Sequence, residues 1–133
     1  MPLIIDTDAS FDVDDVLAIC MAHALERRGE AQILAVMHDA GIPEGIGAVS
    51  VLNHYYGRDD IVLGAYKGEF GKYCDGSWVP GEYVYDLVNN FDSPVWNSDQ
   101  VDEATVAYRK VLAAAEDNSV KIAAIGKWMA DED

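Results

Sequence analysis

Cysteine is scarce in this chain of 133 residues, occurring only as Cys20 and Cys74. Two cysteines cannot staple a disulfide scaffold, and neither has a metal-type partner at the required spacing. Basic residues are scarce too, with nine Lys and Arg against 24 Asp and Glu and a formal net charge of −15. A surface that acidic repels phosphate backbones, which argues against nucleic acid as a partner. No apolar run reaches the length of a bilayer span, so no membrane crossing is expected. The start, Met1-Pro2-Leu3-Ile4-Ile5-Asp6, lacks the basic region and long apolar stretch of a secretory signal. A reduced, cytoplasmic chain is the expectation. Internal repeats and low-complexity linkers are missing as well.

What is present reads as one globular α/β domain spanning residues 1–133, since half of the residues are hydrophobic and a quarter are charged. Leu3-Ile4-Ile5 is a short buried strand that runs into Asp6. From Val13 to about Arg28 the apolar period becomes helical. Val16, Cys20 and Ala24 form one row, Leu17, Met21 and Leu25 the next, and together they predict the buried face. Asp12 is the expected N-cap, with Asp15 at the capping-box position. Strands are expected at Ile33–Met37, Ile61–Gly64 and Val120–Ile125, and helices at Ile46–Tyr56, Glu82–Asn90 and Glu103–Glu116. On the last helix Val106, Val111, Leu112 and Ala115 are the expected apolar side. Lys67 to Pro80 reads as an irregular loop. This alternation predicts a mainly parallel sheet with flanking helices. Such a sheet normally continues with another helix, so the domain reads as cut short after Gly126.

The chemistry concentrates in Asp6-Thr7-Asp8-Ala9-Ser10-Phe11-Asp12-Val13-Asp14-Asp15, where five carboxylates fall within ten residues. The cluster spans the end of the first strand and the first turn of the first helix, the place where open parallel sheets bind ligands. On a strand Asp6 and Asp8 point the same way. Capping and the helix dipole account for Asp12, Asp14 and Asp15, but not for the two strand-end acids. Crowded carboxylates are costly unless a cation or a function offsets them, and all-oxygen ligands favour Ca²⁺ or Mg²⁺. An EF-hand loop beginning at Asp6 requires Gly at position 11 and Glu at 17, where Phe11 and Leu17 stand. Asp6-Thr7-Asp8 after a strand also matches the opening of a haloacid-dehalogenase-type phosphatase, though no later Lys and paired acids of that kind are evident.

The fuller pattern, Ile5-Asp6-Thr7-Asp8, a turn, then Asp12-Val13-Asp14-Asp15-Val16-Leu17-Ala18, resembles the calcium-site signature of the inosine/uridine-preferring nucleoside hydrolases. Leu34-Ala35-Val36, Asn53 to Ile61 and Asn118 to Gly126 are similar to that family's second strand, third-strand entry and metal-reaching strand. The likeness covers most of the chain but only the N-terminal part of the family's longer domain. It implies a Rossmann-like, nucleoside hydrolase-like fold and calcium-dependent cleavage of ribonucleosides to ribose and free base. By that resemblance Asp8 is a calcium ligand and the base that takes a proton from water. Asp15 is a second ligand, Asp14 holds a ribose hydroxyl, Asp6 supports the site from behind, and Ile125 offers its backbone carbonyl to calcium.

The family draws a further Asp ligand, and often a His near the leaving base, from its C-terminal half, so weak or absent activity is expected here. A non-catalytic module binding calcium or nucleoside is the alternative. A homo-oligomer or a complementing chain is expected to cover the exposed sheet edge. Where the family commonly has an Asn after the second strand, this chain has His38-Asp39. Trp78, Tyr83 and Tyr85 are candidates for a base-stacking wall, with hydrophobic packing the simpler role. His23 and His54 read as surface or packing residues, and Cys74 has no evident His partner.

Overall fold

The apolar run at the start of the chain forms an interior strand of the sheet, beside its β5 edge. β1 (Pro2–Thr7) pairs in parallel with β2 (Gln32–His38) on one side and with β5 (Lys121–Ala124) on the other. β3 (Val62–Ala65) adds to β2, and the two-residue β4 (Asp102–Glu103) closes that edge. The order β4-β3-β2-β1-β5 is parallel throughout, so the fold is α/β and Rossmann-like. These relations come from a computed structural model that describes residues 1–69 and 80–126. Trp78, Cys74 and most of the expected loop from Lys67 to Pro80 lie outside the described residues.

Side-chain alternation along β1 divides the core. Leu3 and Ile5 join Ile19 and Ala22 of α1 (Asp14–Arg27) and Ile46 and Val49 of α2 (Gly45–Tyr55) in one cluster. Ile4 faces the opposite way, with Ala35, Met37 and Ala107 of α4 (Ala104–Ala113). α3 (Glu82–Asn90) packs beside α2. The crossovers explain the division. β1 to β4 steps one way across the sheet with α1, α2 and α3 on one face. The return from β4 to β5 runs the other way, which for a right-handed connection puts α4 on the opposite face.

Two helices are rolled differently from their expected orientation. α1 buries Asp15, Ile19, Ala22 and His23, while Leu17 and Met21 are 63% and 57% exposed. The buried face follows what fits the sheet and brings Asp15 to the strand end; counting apolar residues picks a different stripe. The Asp12 cap does not form either, because Val13 occupies the N-cap without a side-chain cap bond. On α4, Ala107, Tyr108 and Val111 meet the sheet, whereas Val106 and Leu112 are exposed. β4 has no signal in the sequence, since a two-residue acidic strand carries no period.

The rolled α1 has a direct test in urea unfolding. Ile19→Ala should cost about 2–4 kcal/mol, the usual cost of a core cavity. Leu17→Ser should change stability by no more than about 0.5 kcal/mol. The reverse order would restore the face expected from periodicity. Among the described residues no helix is long and apolar enough to cross a membrane.

Candidate functional site

The strand order reverses at β1, because β2 lies on one side and β5, which follows β4 in the chain, on the other. The carboxyl ends of β1 and β5 therefore border a topological switch point, the usual ligand crevice of an open parallel sheet. Ile125 and Gly126, just past β5, donate their backbone N–H groups to the Asp6 carbonyl at 2.9 and 3.2 Å. A Cβ on Gly126 would stand 2.9 Å from Asp39 Oδ2 and 3.0 Å from the Asp8 nitrogen, so only glycine lets β5 approach so closely. Asp6, Asp8 and Ile125 are thus gathered at one strand end.

The carboxylates there divide into two pairs. Asp6 follows the parity of Ile4 and turns toward α4, where the Tyr108 hydroxyl donates to its Oδ2 at 2.5 Å. Asp39, the first residue past β2, reaches the same carboxylate. Burial and the negative charges of Asp6 and Asp8 push Asp39 up to about 8. Among the described residues Asp6 Oδ1 is buried without a donor, and a proton on Asp39 turns its contact with the Asp6 carboxylate into a hydrogen bond. Tyr108, pressed against Asp6, has its own ionisation pushed well upward, by burial first and then by that bond.

The second pair lies on the α1 face. Asp15 is 5% exposed and meets Asp8, while the Thr7 hydroxyl donates to it. Burial first, then the Asp8 contact, raises Asp15 to about 7. Thr7 also accepts from the Ala9 N–H at 3.1 Å, and Ser10 Oγ donates to the Asp8 carbonyl at 2.6 Å, so the loop is tightly wound. Asp14 and Asp12 are exposed at the start of α1 and bond to each other, which lowers Asp14 and raises Asp12. Asp6 and Asp8 consequently do not act as one pair, because β1 ends at Thr7 and the strand alternation stops there.

No protein-family model matches the chain, and no curated protein or solved structure matches it. Any assignment therefore rests on the residues themselves.

The donors are hard oxygens, which suit a divalent cation such as calcium in kind. Among the described residues no three His, Cys, Asp or Glu side chains stand together as a metal-holding group. That agrees with the division of the carboxylates into two separate pairs. The raised Asp15 and Asp39 record the burial and the crowding of negative charge here.

Periodicity did not single out Tyr108 or the docking of α3. The Gly81 N–H donates to the Ser10 carbonyl, and Tyr83 Oη donates to the Asp12 carbonyl at 2.8 Å. Tyr83 thus lies beside the cluster, and burial together with Asp15, Asp12, Asp14 and Asp8 pushes it up to about 12. Tyr85 points outward, 38% exposed. His23 is a packing residue, bonded to Asn53 Oδ1 at 2.8 Å and stacked on Tyr56, while His54 sits at the surface against Asp59. His38 is fully buried, and that burial lowers its pKa.

Proposed function

We propose that the chain is a nucleoside hydrolase-like protein that binds Ca²⁺ and slowly hydrolyses the N-glycosidic bond of ribonucleosides to ribose and free base. One observation carries this reading. Asp8 and Asp15, close in sequence, and the end of β5 at Ile125, more than a hundred residues on, are neighbours at the switch point. These are the three positions that the resemblance assigns to the metal.

Calcium, held by Asp8, Asp15 and the Ile125 carbonyl, would fix the ribose hydroxyls and make a water molecule more acidic. Asp8 then takes the proton from the attacking water. Asp14, exposed at the mouth of the crevice, accepts a hydrogen bond from a ribose hydroxyl. As the base departs, positive charge grows on the ribose, and the surrounding carboxylates stabilise it. Asp6 stays behind the reacting atoms, held by Tyr108. That same bond disfavours the phosphatase reading, in which Asp6 must be an open nucleophile.

The test is ribose release from inosine and from uridine by the purified chain with millimolar Ca²⁺, alongside Asp8→Asn. Slow release lost in the variant supports the reading, and calcium binding without any release reduces it to a binding module. Release of phosphate from a phosphomonoester with Mg²⁺ would replace it. We also propose that β5, an edge strand with Ile122 51% exposed, is covered by a second copy or a complementing chain. A monomer by light scattering at high concentration would count against that.

A further inference from the structure

We propose that His38 is the positioning residue of this acidic site, holding the β1–α1 loop, and with it Asp8, from the neighbouring strand. The inference deepens the calcium reading and rests on it for its functional consequence.

His38 ends β2 in register with Thr7, the last residue of β1. Its ring is fully buried, and its Nε2–H donates to the carbonyl of Ala9, directly after Asp8, at 3.0 Å. The next backbone group along, the Asp39 N–H, donates to the Thr7 carbonyl at 3.0 Å. The loop's bonds from Ser10 Oγ and to Thr7 Oγ1 are made within the loop or to its own strand, and the Asp8 side chain meets Asp15 on α1. α3 grips the far end through Gly81 and Tyr83, at Ser10 and Asp12. His38 grips the near end beside Asp8. A loop clamped at both ends keeps its carboxylate in one place, which a ligand or base requires.

The burial of this ring makes little sense as core filling. Among the described residues Nδ1 is buried without a partner, so the residue bears a desolvation cost that a Leu or Met would avoid. The fold also makes room for it. A Cβ on Gly45, at the start of α2, would collide with the His38 ring, so any other residue there would displace the imidazole. An orphaned nitrogen and an obligatory glycine are both accepted to place one donor under the Ala9 carbonyl.

The test compares His38→Gln, whose terminal amide reaches where Nε2 does, with His38→Asn, which is equally polar but too short. Hydrogen exchange of amides 8–12 without calcium reads loop position, and calcium titration by thermal melting reads the consequence. In His38→Asn, loop amides should exchange about tenfold faster, the loss expected for one hydrogen bond. Its calcium affinity should fall by about as much, with β2 amides unchanged, and His38→Gln should recover most of both. Equal behaviour of the two variants would overturn the proposal. If neither variant folds, the wild-type chain decides: a slowly exchanging His38 Nε2–H resonance is expected, and its absence overturns the proposal. If wild-type binds no calcium yet the Asn variant frees the loop, positioning stands and the calcium reading fails. If calcium binds and loop exchange is indifferent to position 38, the reverse holds.

Discussion

Millimolar Ca²⁺ is expected to raise the melting temperature of the wild-type chain by about 10 °C, and Asp8→Asn should abolish the rise. A ligand that binds only the folded state at a hundred times its dissociation constant stabilises by about 2.7 kcal/mol. For a domain of this size each kcal/mol moves the melting temperature by roughly 3–5 °C. Asn keeps the shape of Asp8 while removing its charge, so the metal loses a ligand. The metal-free variant should melt no lower than wild-type, because Asp8 helps to raise Asp15 and its loss relieves that repulsion. This separates lost binding from misfolding. Scanning calorimetry on both proteins with and without calcium makes the comparison. A cooperative wild-type melt indifferent to calcium would end the metal reading, and an equal rise in the variant would remove Asp8 from it.

Without divalent ions, stability should fall as pH rises from 5 to 8, and Asp39→Asn should flatten that slope. Asp39 and Asp15 are raised from 3.8 to about 8 and about 7, by burial first and by neighbouring carboxylates after it. Folded values above unfolded ones mean that the native state binds protons more tightly. Their stabilisation is therefore complete below the unfolded value and is lost as pH rises through about 7 and 8. The substituted amide would stay neutral, and it can donate to Asp6 where a deprotonated Asp39 can only repel. The gain at pH 8 should be roughly 1 kcal/mol, discounted because Asp39 is only partly buried. At pH 5 the two proteins should be nearly equal. Melting curves across this range decide it, and an unchanged slope would mean that Asp39 is ionised and unstrained.

The strand and helix alternation, the parallel sheet and the acidic strand end were legible along the chain, because each is written in local pattern. Leu3-Ile4-Ile5 is apolar on both faces and forms an interior strand, with the carboxylates at its carboxyl end where a parallel sheet leaves its crevice. Helix roll was not legible. On α1 the apolar rows suggested Leu17 and Met21, yet the buried face runs through Asp15, Ile19, Ala22 and His23. Periodicity records how many apolar residues a helix has, whereas contact with the sheet decides which of them it uses, and an acid drawn to a site can turn the helix.

The chain by itself determined that Asp6, Asp8, Asp14 and Asp15 lie near one strand end, since they are close in sequence. Only the tertiary structure decided how they are paired. Tyr108 meets Asp6 from 102 residues away, across the opposite face of the sheet. His38 arrives on β2 and Asp39 just past it, Tyr83 on α3, and Gly126 past β5. Each belongs to a different element, and no spacing along the chain relates them. The reversal of strand order at β1 brings these elements together, and that reversal is a property of the folded sheet rather than of any segment within it.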